Sequence, residues 1–360
     1  MVAGCADALE LARGIAGRLA TRAGATCAFV GGSLTAGLGN SASDIDIYLI
    51  GPDVLAGRQR LLAGTTWLDV HALRLTELEC ALRRVAAADP LADLSDDPVS
   101  EADLAIAARL HSAVITSGEQ AASRLADLIG RDHLARLMIR RWNAAAFNAL
   151  EDFSGQDLAA DPDTATICAR SALLAAGKGI AAAGGDTYDG LKWVHKQLAR
   201  TAPERFPIAE FRLLIRSDPF GPGQPVLRLL GLVQTAMIAT AVLGLHGIRL
   251  DRWPSWAPGN GTLHRAAGFY PSSTDEYVKL CKPGCRLVRM RWDVALVWGL
   301  CDGASSEEVA TLAAGFGAAA PAYAKLTPDR ARAIVGRLCA LGLLTEGVSA
   351  PYGTPVAHQA

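Results

Sequence analysis

The sequence predicts an α+β chain: a mixed sheet with flanking helices, then a helical bundle, then a small hairpin-and-helix module. Three observations predict it. Strand-like alternation is concentrated early, between Cys27 and Leu73, and helical spacing of apolar residues dominates from Glu77 to Leu245. Short strand signals return only after Trp253 to Pro271, a stretch rich in Pro, Gly and aromatics that lacks either period. These features place domains at 1–129, 130–252 and 272–350, with 253–271 expected as a hinge of lower order. A chain of 360 residues with 51% hydrophobic content can supply a core to each.

Composition narrows the partners. With 35 basic against 36 acidic residues, no broad basic face for nucleic acid is expected, so a small or peptidic partner is favoured. The eight cysteines are scattered, and the N-terminus lacks the charged-then-apolar pattern of a signal peptide, which points to reduced thiols in the cytoplasm. Leu229 to Leu245 carries no charge but is shorter than the ~20 residues of a span, and Gln234, Thr235 and Thr240 interrupt it. A buried helix, not a membrane segment, is expected there.

The chemistry-bearing stretch begins with an amphipathic helix over residues 7–22 and an apolar strand at Cys27 to Val30. The strand runs into Gly31-Gly32-Ser33, where glycine permits close backbone approach to a phosphate and the Ser33 hydroxyl suits an anion. Asp44-Ile45-Asp46-Ile47-Tyr48-Leu49-Ile50 follows, a strand by its alternation. Asp44 and Asp46 then share one face, about 7 Å apart along the strand, while the aliphatic residues enter the core. Two like charges on one face are most easily kept if a divalent cation lies between them, and hard oxygen ligands suit Mg²⁺. Thr65 to Leu73 offers a third carboxylate, Asp69, on another strand-like segment. If the two strands pair, three carboxylates converge for in-line phosphoryl transfer, with Asp69 also a candidate general base. The lesser alternative for Asp69, taken alone, is a cap or the partner of an arginine.

Gly32-Ser33, ten intervening residues, and Asp44-x-Asp46 flanked by apolar residues resemble the nucleotidyltransferase signature of the DNA polymerase beta superfamily, in the style of its minimal and aminoglycoside-type members. The match covers residues 26–73. The resemblance implies a nucleotidyltransferase mixed sheet, a triphosphate held by Gly32 and Ser33, and two Mg²⁺ ions (Mn²⁺ as the alternative) held by Asp44, Asp46 and Asp69. An NTP, ATP favoured, would be the co-substrate.

In the helical half, Ser171 to Arg200 resembles the bundle appended to aminoglycoside-type enzymes. That likeness makes Lys178 and Lys192 candidates for phosphate contacts, against the alternative of solvated surface lysines. Trp142, Trp193 and Phe147 at helical spacing are expected in the core, and His71, His195 and His246 are expected to be structural. Cys281-x3-Cys285 is a single pair without the second pair a zinc site needs.

In the last domain, strands at Tyr277 to Leu280 and Arg286 to Met290 flank a Pro283-Gly284 turn. A helix at Asp293 to Leu300, a capping box at Ser305 and Glu308, and a helix opened by Thr327-Pro328 follow. This order resembles a winged-helix unit and, more narrowly, the peptide-recognition domain of pyrroloquinoline-quinone biosynthesis. It implies peptide or protein docking ahead of DNA binding or dimerisation. The expected function is therefore transfer of NMP to a hydroxyl or phosphate of a small-molecule or peptide natural product. The alternatives are a toxin-like transferase acting on tRNA or protein, and a nucleotide-binding regulator without turnover.

Overall fold

The computed structural model describes residues 3–40, 42–92, 99–156, 160–259, 261–273, 277–282 and 286–346. It is an α+β protein with one five-stranded mixed sheet and two three-stranded antiparallel sheets among these residues. The chain forms two compact units: residues 1–89, 95–137 and 185–196 in the first, and 90–94, 138–184 and 197–360 in the second.

The first unit opens with α1 (Ala3–Ala23), β1 (Cys27–Gly31) and the single turn α2 (Gly32–Thr35). The strands β2 (Ile45–Gly51), β3 (Gly57–Ala63) and β4 (Thr66–Arg74) follow, then α3 (Leu75–Ala87), α4 (Glu101–His111), β5 (Val114–Ser117) and α5 (Glu119–Ala126). The sheet order is β3-β4-β2-β1-β5. β2 and β4 run parallel, and every other pairing is antiparallel. The crossover arises because β3 passes to the outer edge and β4 returns between it and β2.

Strand periodicity separates the two faces of this sheet. One face buries Ala28, Val30, Ile45, Ile47, Leu49, Leu68 and Val70 against Ala12, Ala16 and Ala20 of α1. Alanines four residues apart give that helix a flat apolar stripe, so it lies close on the sheet. The opposite face carries Phe29, Asp46, Tyr48, Asp69 and His71, and this is where the polar chemistry collects. β3 was not expected from sequence. Its residues Gly57 to Leu62 are exposed on both faces, so no alternation marks it.

The second unit contains most of α6 (Arg131–Ser154) and α7 (Pro162–Ala183). It also holds the greater part of α8 (Val194–Thr201), together with α9 (Ile208–Arg216) and α10 (Pro225–Val242). The strands β6 (Leu263–Arg265), β7 (Tyr270–Ser273), β8 (Val278–Lys282) and β9 (Arg286–Met290) follow, then α11 (Trp292–Leu300), β10 (Asp302–Ala304), α12 (Ser306–Ala314), α13 (Pro328–Ala340) and β11 (Leu344–Glu346). Pro225 to His246 has the length and apolarity of a membrane span, yet 83% of its apolar window is buried within the protein. It is a core helix: α10 packs on α7, α9, α11 and β7.

Bundle and C-terminal module belong to one unit because α10 is apolar all round and serves both. The stretch 253–271 is no loose hinge either, because Trp253 and Trp256 are 2% and 4% exposed and draw the chain into the core. Gly259 and Gly261 hydrogen-bond to the backbone of β10, at Asp302 and Gly303. The expected capping box is present, with Ser305 and Glu308 each bonded to the other's backbone N–H. On α13, Arg330 is bonded to the buried Asp293 (2.6 Å) and Arg332 is paired with Glu307 and Asp329. Cys285 and the Pro283-Gly284 turn lie outside the described residues; Cys27, Cys80, Cys168, Cys281, Cys301 and Cys339 are free thiols.

Because Ile47 is fully buried beneath the strand that carries Asp46, Ile47→Ala should lower stability by about 3 kcal/mol through the cavity it leaves. Urea unfolding followed by circular dichroism measures this.

Candidate active site

Strand register decides which carboxylates meet. In the parallel β2–β4 pair, Asp46 is the direct Cα partner of Asp69, as Tyr48 is of His71. Side chains facing each other across neighbouring strands stand about 5 Å apart. Two carboxylates at that separation repel by about 3 kcal/mol in a partly screened environment, so each needs positive or donor partners. The structure supplies them. His71 Nε2 lies 3.3 Å from Asp46 Oδ1. Arg58 Nη2 donates to Asp69 Oδ2 at 2.8 Å, and Arg60 Nε stands 3.6 Å from Oδ1. The second separation is an ion pair but too long for a hydrogen bond. Asp69 is 2% exposed, and its Oδ1 has no hydrogen-bond partner among the described residues.

Asp44 lies just before β2 and is half-buried, and its charge, like that of Asp46, acts on Tyr188. The glycine turn forms the floor beside them. Gly31 is the register partner of Asp46, and Gly32 has φ +86°, where a side chain is strained. A Cβ at Gly32 would lie 2.2 Å from Asp46 Oδ2, so the backbone touches the carboxylate only because no side chain is there. Ser33 is 6% exposed, and its carbonyl accepts from the N–H groups of Leu38 and Gly39, which closes the loop. Lys196 donates to the Leu38 carbonyl at 2.7 Å and fixes the far side of that loop.

Behind the acids, Tyr48 is stacked between Phe29 and His71, with ring centroids 4.7 Å apart on each side. Arg109 of α4 donates to the Tyr48 hydroxyl at 2.9 Å and is paired with Asp189 at 3.7 Å. Burial pushes the Tyr48 hydroxyl well above the ordinary range against the opposing pull of Arg109, so it stays neutral. Burial, then the charges of Asp189, Asp46 and Asp44, pushes Tyr188 up to about 12. The segment 185–196 therefore belongs electrostatically to this site.

Neither a protein-family model nor a curated protein matches the chain. The geometry has to speak for itself. Of the residues expected at the site, Gly32, Ser33, Asp44, Asp46 and Asp69 come together in the first unit. Lys192 is in that unit as well, exposed, with its ammonium 5.3 Å from the Trp193 ring. Lys178 is in the second unit, 1% exposed, where it donates to Gln197 at 2.6 Å and faces the Trp142 ring. Trp142 and Trp193 are buried, as core aromatics should be. Among the described residues, no three His, Cys, Asp or Glu side chains are arranged to hold a metal, and Asp69 is paired with arginine.

Sequence reasoning named His71 only as structural and missed Arg58, Arg60, Arg109 and Asp189. His71 alone had a readable signal, since it follows Asp69 by two on one strand face. The donor set nevertheless suits a hard divalent cation. Asp69 Oδ1 is a buried acceptor without a partner, and the glycine cradle at Asp46 would be filled by any side chain.

Gly32→Ala should lower the melting temperature, corresponding to more than about 1 kcal/mol. Adding Asp46→Ala should recover part of that loss by removing the clashing carboxylate. Strict additivity of the two changes in thermal unfolding would refute the contact.

Proposed function

We propose that this chain is a divalent-cation-dependent nucleotidyltransferase that moves NMP from an NTP, ATP favoured, to a hydroxyl or phosphate acceptor. The observation that carries the proposal is the direct pairing of Asp46 with Asp69 across parallel strands beside the side-chain-free Gly32. Structural carboxylates gain nothing from facing one another; a cation-binding pair requires it.

In this reading Asp44, Asp46 and Asp69 hold Mg²⁺, or Mn²⁺ in its place. The ions, when bound, neutralise the triphosphate and make the acceptor hydroxyl more acidic. Gly32 and Ser33 lie against the triphosphate, and exposed Lys192 offers a compact charge to the leaving pyrophosphate. The acceptor oxygen forms a bond to the α-phosphorus, and the bond from that phosphorus to the bridging oxygen breaks. Pyrophosphate departs with the electron pair, and the acceptor proton passes to Asp69. His71 keeps Asp46 oriented, as the Tyr48 stack and Arg109 keep His71.

The acceptor we favour is a small molecule or a peptide natural product in the cytoplasm, with peptide or protein docking at the C-terminal module. Nucleic acid is less favoured, because Arg330 and Arg332 of α13 are already engaged by carboxylates. A regulator that binds nucleotide without turnover is the second reading, and the Arg58–Asp69 salt link is what favours it.

The test incubates the chain with Mg²⁺ and each α-labelled NTP, with and without candidate peptides, small molecules and tRNA. Label on a peptide or small molecule is the expected outcome, and Asp46→Asn should slow transfer by at least about a hundredfold. Label on tRNA would select the toxin-like alternative, and nucleotide binding without transfer would select the regulator.

A further inference from the structure

Building on the nucleotidyltransferase reading, we infer that Arg58 and Arg60 keep the place of a divalent cation at Asp69 and turn to the substrate's phosphates once the cation binds. Arg60 is the direct register partner of Asp69, and Arg58 that of His71, so both guanidinium groups leave β3 on the face that carries the acids. Their side chains are 65% and 56% exposed, whereas that of Asp69 is 3% exposed. The acid is fixed by its surroundings and the bases are not.

β3 is the edge strand, paired with β4 alone. Its arginines can leave Asp69 without disturbing any other strand pairing among the described residues or exposing apolar core. One oxygen of Asp69 is gripped by Arg58, while the other has only Arg60 at ion-pair distance and accepts no hydrogen bond. A buried carboxylate without a positive neighbour is strongly disfavoured, so something cationic must sit there in every state of the protein. A divalent ion on Oδ1 would satisfy the acid and repel both guanidinium groups. Only an anion lying between ion and arginine relieves that repulsion, and a polyphosphate is such an anion. Guanidinium binds phosphate oxygens in a fork, which suits these residues to the task. Arg60 has a resting place on the way, with its guanidinium 4.8 Å from the ring of half-exposed Trp67. Cation and nucleotide therefore bind cooperatively, each removing the obstacle to the other.

Mn²⁺ binding, followed by electron paramagnetic resonance on the intact chain, tests this independently of turnover. Without nucleotide, the Arg58→Gln/Arg60→Gln double variant should hold Mn²⁺ about tenfold more tightly than wild type, since the competing charge-assisted bond is gone. With an ATP analogue carrying an imido bridge between the α- and β-phosphates, wild type should gain Mn²⁺ affinity. The double variant should gain less and bind the analogue about tenfold more weakly. Thermal unfolding supplies a second readout, because Mn²⁺ alone should raise the melting temperature of the variant more than that of wild type. Should the double variant fail to fold, Arg58→Gln, which leaves Arg60 beside Asp69, gives the same comparison.

Equal Mn²⁺ affinity of variant and wild type without nucleotide, while the analogue still recruits Mn²⁺ to both, overturns the exchange and leaves the nucleotidyltransferase reading standing. Absence of Mn²⁺ binding to either protein, even with the analogue, removes both.

Discussion

Repulsion between two carboxylates set face to face on adjacent parallel strands is the constraint around which the first unit is built. Asp46 and Asp69 are held in that position by backbone register, and a one-residue slip of either strand would carry its acid to the opposite face. The aliphatic residues between them prevent the slip, because Ile45, Ile47, Leu68 and Val70 would have to leave the α1 interface. Hydrophobic burial on one side of the sheet thus enforces an electrostatically unfavourable pairing on the other. The repulsion is then offset locally by His71 at Asp46 and by two arginines at Asp69.

Further support comes from outside the strands. The Phe29–Tyr48–His71 stack extends across three strands on the face that carries the acids, and Arg109 and Asp189 anchor its central hydroxyl. A stacked, neutral tyrosine fixes the imidazole plane without competing for Asp46, a division of labour expected of groups that position others. Lys196 performs a similar service for the glycine loop by holding the Leu38 carbonyl. The 185–196 segment, distant in sequence, thus contributes Asp189 and Lys196 to the unit that holds the acids.

How much of this was legible in the sequence follows from which forces leave a local trace. β2 and β4 were readable from their alternation, and β1 because it is apolar throughout and buried on both faces. β3 left no such trace, being exposed on both faces, so its arginines could not be placed beside Asp69. The three aspartates and the glycine turn were found by spacing along neighbouring strands. Arg109 and Asp189 were invisible, since they reach Tyr48 through tertiary folding and belong to no pattern. His71, read as structural, stands on the face of Asp69 by the period of two, where it lies against Asp46 and stacks on Tyr48. α10 is buried along most of its length and packs on α7 and α9 as well as on α11 and β7, contacts that its apolar composition alone does not assign. Trp253 and Trp256 were misjudged, because Pro and Gly around them mark irregular backbone and not lack of burial.

The Arg58–Asp69 salt link admits two meanings, a permanent structural tie or an exchangeable one, and the second unit provides a standard for the first. There Arg265 is paired with Asp302, the two side chains being 1% and 18% exposed, and the same guanidinium is also bonded to Thr235 of α10. Removing that arginine would unpin β6 from its surroundings, which is how a tie between elements behaves. Arg58 differs in each respect: it is mostly in solvent, it belongs to an edge strand already paired along its length with β4, and it has the acid as its one hydrogen-bonded carboxylate. A bond that joins two strands already joined by seven register pairs adds little to the architecture. What it does add is charge balance at Asp69, a need any cation of suitable size can meet. The pairing is therefore better described as charge compensation for a buried carboxylate, on the face where Asp46 meets it.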